Sequence, residues 1–214
     1  LTPGQSITET LTNSDDTQGY VAYTITPWTL DASSNQKCSG TPIEDTVWVE
    51  PLAVVSVSPK NDTICDGENV SITLSSPTNP TRGVRFRYIT DAPPGVTVIP
   101  GAGGNKAPNY IIEDQIINTT DNAQLVLFIV TPKTRKAHND DETCTGIVDT
   151  VHVWVEPTAR VIITPDVDTL CNEQFANIQV TIPSNSTNGV RFRFTVEAPT
   201  GVIVDPIPAT DLIS

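Results

Sequence analysis

Four cysteines, at positions 38, 65, 144 and 171, are the most reactive side chains of this 214-residue sequence. An even count in a strand-rich chain fits oxidised pairs in an exported protein, and four cysteines allow three pairings. Cys65 with Cys144 is one arrangement, a staple between neighbouring units is a second, and free thiols are a third. Cys65 lies in an early turn and Cys144 just before a late strand. In a regular sandwich these are opposite poles about 30 Å apart, against the ~7 Å between Cα atoms that a disulfide tolerates.

The other chemistry on offer is binding. Arg85 and Arg87 alternate outward in "VRFRY" and form a basic pair in a chain of net charge −13. They suit either an anionic ligand such as an acidic polysaccharide or carboxylates on a neighbouring strand. Trp154, like Trp48, is out of phase with its flanking valines and so faces away from the core. It could stack on a sugar, or cover the sheet surface or a unit boundary. His138, Asp140, Asp141 and Glu142 crowd one loop whose oxygens could hold Ca2+. That loop lacks D-x-D-x-D-G spacing, and the matching loop "LDASSNQKC" holds a single acid. A solvated loop is the expected reading, with no metal or other cofactor assigned. Two histidines (138 and 152), with no G-x-S-x-G, H-E-x-x-H or phosphate loop, predict no enzyme. N-x-[ST] matches at Asn61, Asn69, Asn118 and Asn185 would matter only in a eukaryotic secretory host.

What positions these residues is a tandem repeat. "GVRFRY" at 83–88 returns as "GVRFRF" at 189–194, an offset of 106. At the same offset "CSG" becomes "CTG", "VWVEP" returns unchanged, and "APPGVTV" becomes "APTGVIV". Strands are expected at 52–58, 69–75, 84–90, 96–99, 110–117, 124–131 and 148–156, with "KNDTICDGE" as a turn. Seven short strands punctuated by turns predict an all-β Ig-like sandwich of about 100 residues. No apolar spacing of helical period appears, so long helices are not expected. The unit boundary falls at Glu-Pro, 50–51 and 156–157. On that frame 1–51 is the C-terminal half of one unit, 52–157 is complete, and 158–214 is the N-terminal half of the next. A permuted frame with two whole domains is the alternative. Almost no linker remains, so adjacent units touch and tandem copies build a stiff rod.

The acidic balance argues against nucleic acid, whose phosphates demand Lys and Arg. No apolar run is long enough to insert in a membrane as a helix. With no Met at all, the sequence reads as a segment from within a longer frame.

The order "ICDGENVSITL", "RFRYIT…PPGVTV", "NTT…FIVTP", "CTG…VHVWVEP" resembles the PKD-like and related Ig-like repeats of very large surface proteins in gliding Bacteroidota-type bacteria. Among these are gliding-motility adhesins exported by the type IX secretion system. One position departs from the pattern: Cys171-Asn172-Glu173 lacks the glycine of "CDG". The resemblance implies an extracellular, cell-surface adhesin or filament in which repeats supply length and stiffness. The expected partners are neighbouring repeats and, beyond them, surface polysaccharide or other cell-surface proteins. In such bacteria Asp-Thr before an aliphatic residue resembles an O-glycosylation signal, which singles out Thr46, Thr63, Thr150 and Thr169. The plainer reading is that Thr and Val favour strands and Asp their edges. Two other classes remain open: a carbohydrate-binding or accessory module of a secreted enzyme, and a self-assembling structural fibre subunit.

Overall fold

The computed structural model describes residues 2, 4–135, 142–165, 168–205 and 211–213. It is all-β. Residues 1–51 carry β1 (Gly19–Ile25), β2 (Trp28–Leu30), β3 (Gln36–Ser39) and β4 (Ile43–Val49). Residues 52–157 carry β5 (Ser56–Ser58), β6 (Asn61–Cys65), β7 (Ile72–Ser75), β8 (Val84–Asp91), β9 (Val96–Ile99), β10 (Ala102–Lys106), β11 (Ile111–Ile112), β12 (Gln115–Asn118), β13 (Gln124–Arg135), β14 (Glu142–Thr145) and β15 (Asp149–Glu156). After them come β16 (Ile162–Thr164), β17 (Gln179–Thr181), β18 (Arg191–Arg193) and β19 (Asp211–Ile213).

The central strands form a sandwich. One layer runs β10-β8-β13-β15-β6, with β14 added to β13. The other is made of β11-β7-β5 and the β12-β9 pair. Alternation decides which side chains face inward. Val84, Phe86 and Tyr88 from β8 are each 1% exposed, and Phe128 from β13 and Val153 from β15 are wholly buried. Ile72 and Leu74 of β7 and Ile112 and Ile116 complete the core from the opposite layer. Each such side chain contributes about 1.5–3 kcal/mol of transfer free energy. Among the described residues the hydrophobic core runs from Ala53 to Val155.

The flanks repeat parts of the central pattern. β1 pairs β4 with Gly19 opposite Val49 and Tyr20 opposite Trp48. β13 pairs β15 in the matching register, Gln124 opposite Val155 and Leu125 opposite Trp154. β18 holds the "RFR" of β8. The construction is therefore that of tandem β-sandwich units at the sequence period.

Several elements differ from the sequence reading. "KNDTICDGE" contains a strand, β6, because Ile64 packs into the core while Asn61–Cys65 runs parallel to β15. "AGGNK" is β10, whose glycines read as loop; a Cβ on Gly103 would stand 2.4 Å from the Tyr88 ring, so only glycine lets β10 lie on β8. The 110–117 stretch is split into β11 and β12, because the Asp114 carboxylate turns inward.

That carboxylate is buried. It accepts a hydrogen bond from the Tyr88 hydroxyl at 2.9 Å and another from the Gly101 amide at 3.0 Å. Burial, then the Asp114 hydrogen bond, push the Tyr88 phenol well above its ordinary range. The folded chain keeps this proton where the unfolded chain, with a tyrosine pKa of about 10, loses it. Stability should therefore fall by about 1.4 kcal/mol per pH unit above pH ~10, beyond any background slope. Urea midpoints should be nearly level from pH 8 to 9 and fall from pH 10 to 11, and Tyr88→Phe should remove that fall.

Candidate functional site

Cys65 closes β6 opposite Glu156. Cys144 lies in β14, whose Thr145 is opposite Lys133 of β13. Glu156 neighbours Val155, which faces Gln124 at the other end of β13. The nine steps from Gln124 to Lys133 span about 30 Å of strand. Of the three arrangements left open, the Cys65–Cys144 pair is therefore not formed, and all four cysteines are free thiols. Cys38, Cys65 and Cys171 are exposed and Cys144 is half-buried. Alkylation without denaturant should add four groups by intact mass, with Cys144 the slowest; two or fewer would contradict free thiols.

The four Asp-Thr pairs share one local geometry. The Asp45, Asp62, Asp149 and Asp168 carboxylates each accept the amide of the following threonine, at 2.8–2.9 Å. Thr46, Thr63 and Thr169 are exposed and Thr150 is half-buried.

Arg85, Arg87 and Trp154 share the outer face of the β8-β13-β15 layer but not one site. Arg85 stands opposite Lys133 and Arg87 opposite Thr131, whereas Trp154 stands opposite Leu125. Six steps along β13, about 20 Å, separate Thr131 from Leu125. The register puts no β13 carboxylate opposite either arginine. Arg85 donates to the Val84 carbonyl at 3.1 Å. Trp154 is 40% exposed, and its counterpart Trp48 meets Tyr20 with ring planes tilted by 55°, which is no flat platform. His138, Asp140 and Asp141 of the acidic loop lie outside the described residues, as does the Glu142 side chain. Among the described residues no three His, Cys, Asp or Glu side chains gather as metal ligands.

The polar groups that organise the unit ends were missed. Asn118 is 3% exposed; its amide nitrogen donates to the Asn122 and Val155 carbonyls, and its oxygen accepts from the Thr120 amide and hydroxyl. Asn13, 105 residues earlier, donates to the Thr17 and Val49 carbonyls and accepts from the Asp15 amide. This recurrence at the repeat offset was the available signal. The C-x-G turns also acquire a reason. Gly67 has φ +82°, and Glu173, where the glycine is missing, takes φ +67°. The turn persists there, with Gln174 holding the Cys171 amide as Glu68 holds that of Cys65.

No curated protein matches the chain. Among solved structures, the Salmonella enterica SafA pilin in complex with the SafB chaperone is similar at 13% identity and a TM-score of 0.36. That alignment covers 53% of this chain and 65% of the pilin chain, just under two thirds of its length. The PKD-like domain family matches residues 1–53 and 62–159. With well over half its length matched in this way, the chain belongs to the PKD-like domain family.

Proposed function

We propose that this chain is a segment of an extracellular, cell-surface array, acting in attachment or gliding as a mechanical spacer without catalysis. Residues 52–157 are one complete repeat, 1–51 the C-terminal half of its predecessor, and 158–214 the N-terminal half of its successor. The observation that carries the reading is the parallel pairing of β6 with β15, from Asn61 opposite His152 to Cys65 opposite Glu156. A pull on the two chain ends first peels the short β5 from β7, then slides β6 along β15. In that geometry the ladder bonds are loaded together, not one at a time.

The flanks support the array. Val47 is 40% exposed where Val153 of the complete unit is buried, and Ile178 is 60% exposed where Ile72 is buried. Each flank thus exposes the half-core that the other half of a repeat would cover. Membership of the PKD-like family supports surface location, whereas the free thiols remove the argument for export that the cysteine count offered. Export by the type IX route and glycans on Thr46, Thr63, Thr150 and Thr169 belong to the same reading, the latter supported by the shared Asp-Thr geometry. The partners are neighbouring repeats, with surface polysaccharide or another cell-surface protein gripped elsewhere in the array.

Single-molecule pulling tests the mechanical claim. Handles at residues 60 and 157 load β6 against β15 in shear, whereas handles at 66 and 157 peel the same strands apart. The shear geometry should need several times the force, and equal forces would sink the reading. Calorimetry addresses the carbohydrate-binding alternative: heats with polysaccharides that vanish in Trp154→Ala would favour it.

A further inference from the structure

The same set of bonds joins 1–51 to 52–157 and 52–157 to the segment after it. At the first joint the Asn79 amide donates to the Asp16 carbonyl at 2.7 Å, and Thr17 and Asn79 form a parallel bridge. At the second, the Asn185 amide donates to the Asp121 carbonyl at 2.7 Å, and Asn122 and Asn185 form a parallel bridge. The Glu50 carboxylate accepts the Thr81 amide at 3.3 Å, and that of Glu156 accepts the Thr187 amide at 3.0 Å. Both glutamates precede a buried proline, Pro51 or Pro157, at the strand exit. Behind each bridge stands the asparagine, Asn13 or Asn118, that ties its turn to the last strand of the same unit. These pairs correspond at offsets of 105 and 106. The second joint adds the Arg160–Asp121 ion pair and a 2.8 Å bond from the Thr158 hydroxyl to Asp66. Their counterparts at the first joint, Val54 and Leu52, cannot make these bonds, so they are additions to a common set.

We propose that this set is a docking surface between successive repeats, a latch that fixes each unit on the next in one orientation. The turn at 13–18 or 118–123 and the following glutamate form one side. The loop at 76–82 or 182–188 forms the other, and the partner it fits is the adjoining repeat of the same chain. At each joint the backbone pair sets the position of the loop, and the glutamate carboxylate holds the loop there. Because both joints make the same bonds, the same rotation and translation recur from unit to unit, and a longer array grows as a regular screw. The proposal rests on the repeat frame above, not on surface location or load.

Amide exchange on the intact chain tests it. The amides of Asn79, Thr81, Asn185 and Thr187 should exchange at least tenfold more slowly than unprotected loop amides. The double variant Glu50→Ala/Glu156→Ala should speed Thr81 and Thr187 about tenfold while β8 and β13 keep their protection. Glu50→Gln/Glu156→Gln retains an acceptor and should stay within a few-fold of the parent. Small-angle scattering should broaden toward a flexible chain in the alanine variant only. Unprotected joint amides in the parent chain would overturn the latch, as would an alanine variant indistinguishable from it. A strong shear response with unprotected joint amides would remove the latch and leave the spacer reading standing.

Discussion

Gly146→Ala should lower the unfolding midpoint of the central sandwich by about 15–25 °C, a loss of some 3–4 kcal/mol. A Cβ at this position would stand 1.8 Å from the Ala53 carbonyl oxygen and 2.5 Å from its carbon. Both are backbone atoms, and no rotamer change relieves the overlap. The Gly146 amide also donates to the Pro132 carbonyl at 2.9 Å, and the Ile147 amide to the Ala53 carbonyl at 3.0 Å. The entry of the chain into the unit, the far part of β13 and the hairpin before β15 therefore meet at one residue without a side chain. Gly67→Ala is the control. Nothing lies within 4 Å of its would-be Cβ, so only the positive φ opposes substitution, at about 1–2 kcal/mol. If thermal melts showed Gly146→Ala costing no more than Gly67→Ala, the close approach of Ala53 would be refuted.

Asn118→Ala should cost about 3 kcal/mol, because the carbonyls of Val155 and Asn122 and the amide of Thr120 lose their partner in a buried site. At the equivalent Asn13 water can reach the freed groups, since the residue is only half-buried, and the expected cost is nearer 1 kcal/mol. Denaturant midpoints give both values. The Asn118 loss should also spread to exchange at Asn185, since the turn it holds is one face of the second joint. A large loss of stability with the Asn185 amide unchanged would separate the turn from the joint.

The repeat made much of the fold readable. Inward positions of β8 and β15 follow from alternation, Val84, Phe86 and Tyr88 against two arginines and the β15 valines against His152 and Trp154, and the observed strands keep that phase; the continuous apolar run of β13 gives no such phase. The signal fails where a strand is held by its neighbours and not by its own composition. Asn61–Cys65 carries turn-forming residues, yet it pairs because β15 offers a parallel edge and Ile64 has a core to enter. Ala102–Lys106 has almost no side chain to read, and the Tyr88 ring above Gly103 is what requires this. The binding candidates were legible one by one, but not their separation. Only the strand register shows that Arg85 and Trp154 belong to different ends of one face. The count of four cysteines pointed to oxidised pairs, while the strand order already set Cys65 and Cys144 at opposite poles, and the distance decides. The joints escaped notice because their bonds are mostly backbone to backbone, which leaves only Asn13, Asn118, Glu50 and Glu156 as traces.

The central claim is that 52–157 is one closed, load-bearing unit between two open halves. Stretching the whole chain from its ends tests it most directly. The account predicts one dominant unfolding event, releasing the contour of about 106 residues, roughly 35–38 nm less the folded span of the unit. Two comparable events, or a featureless extension, would contradict it.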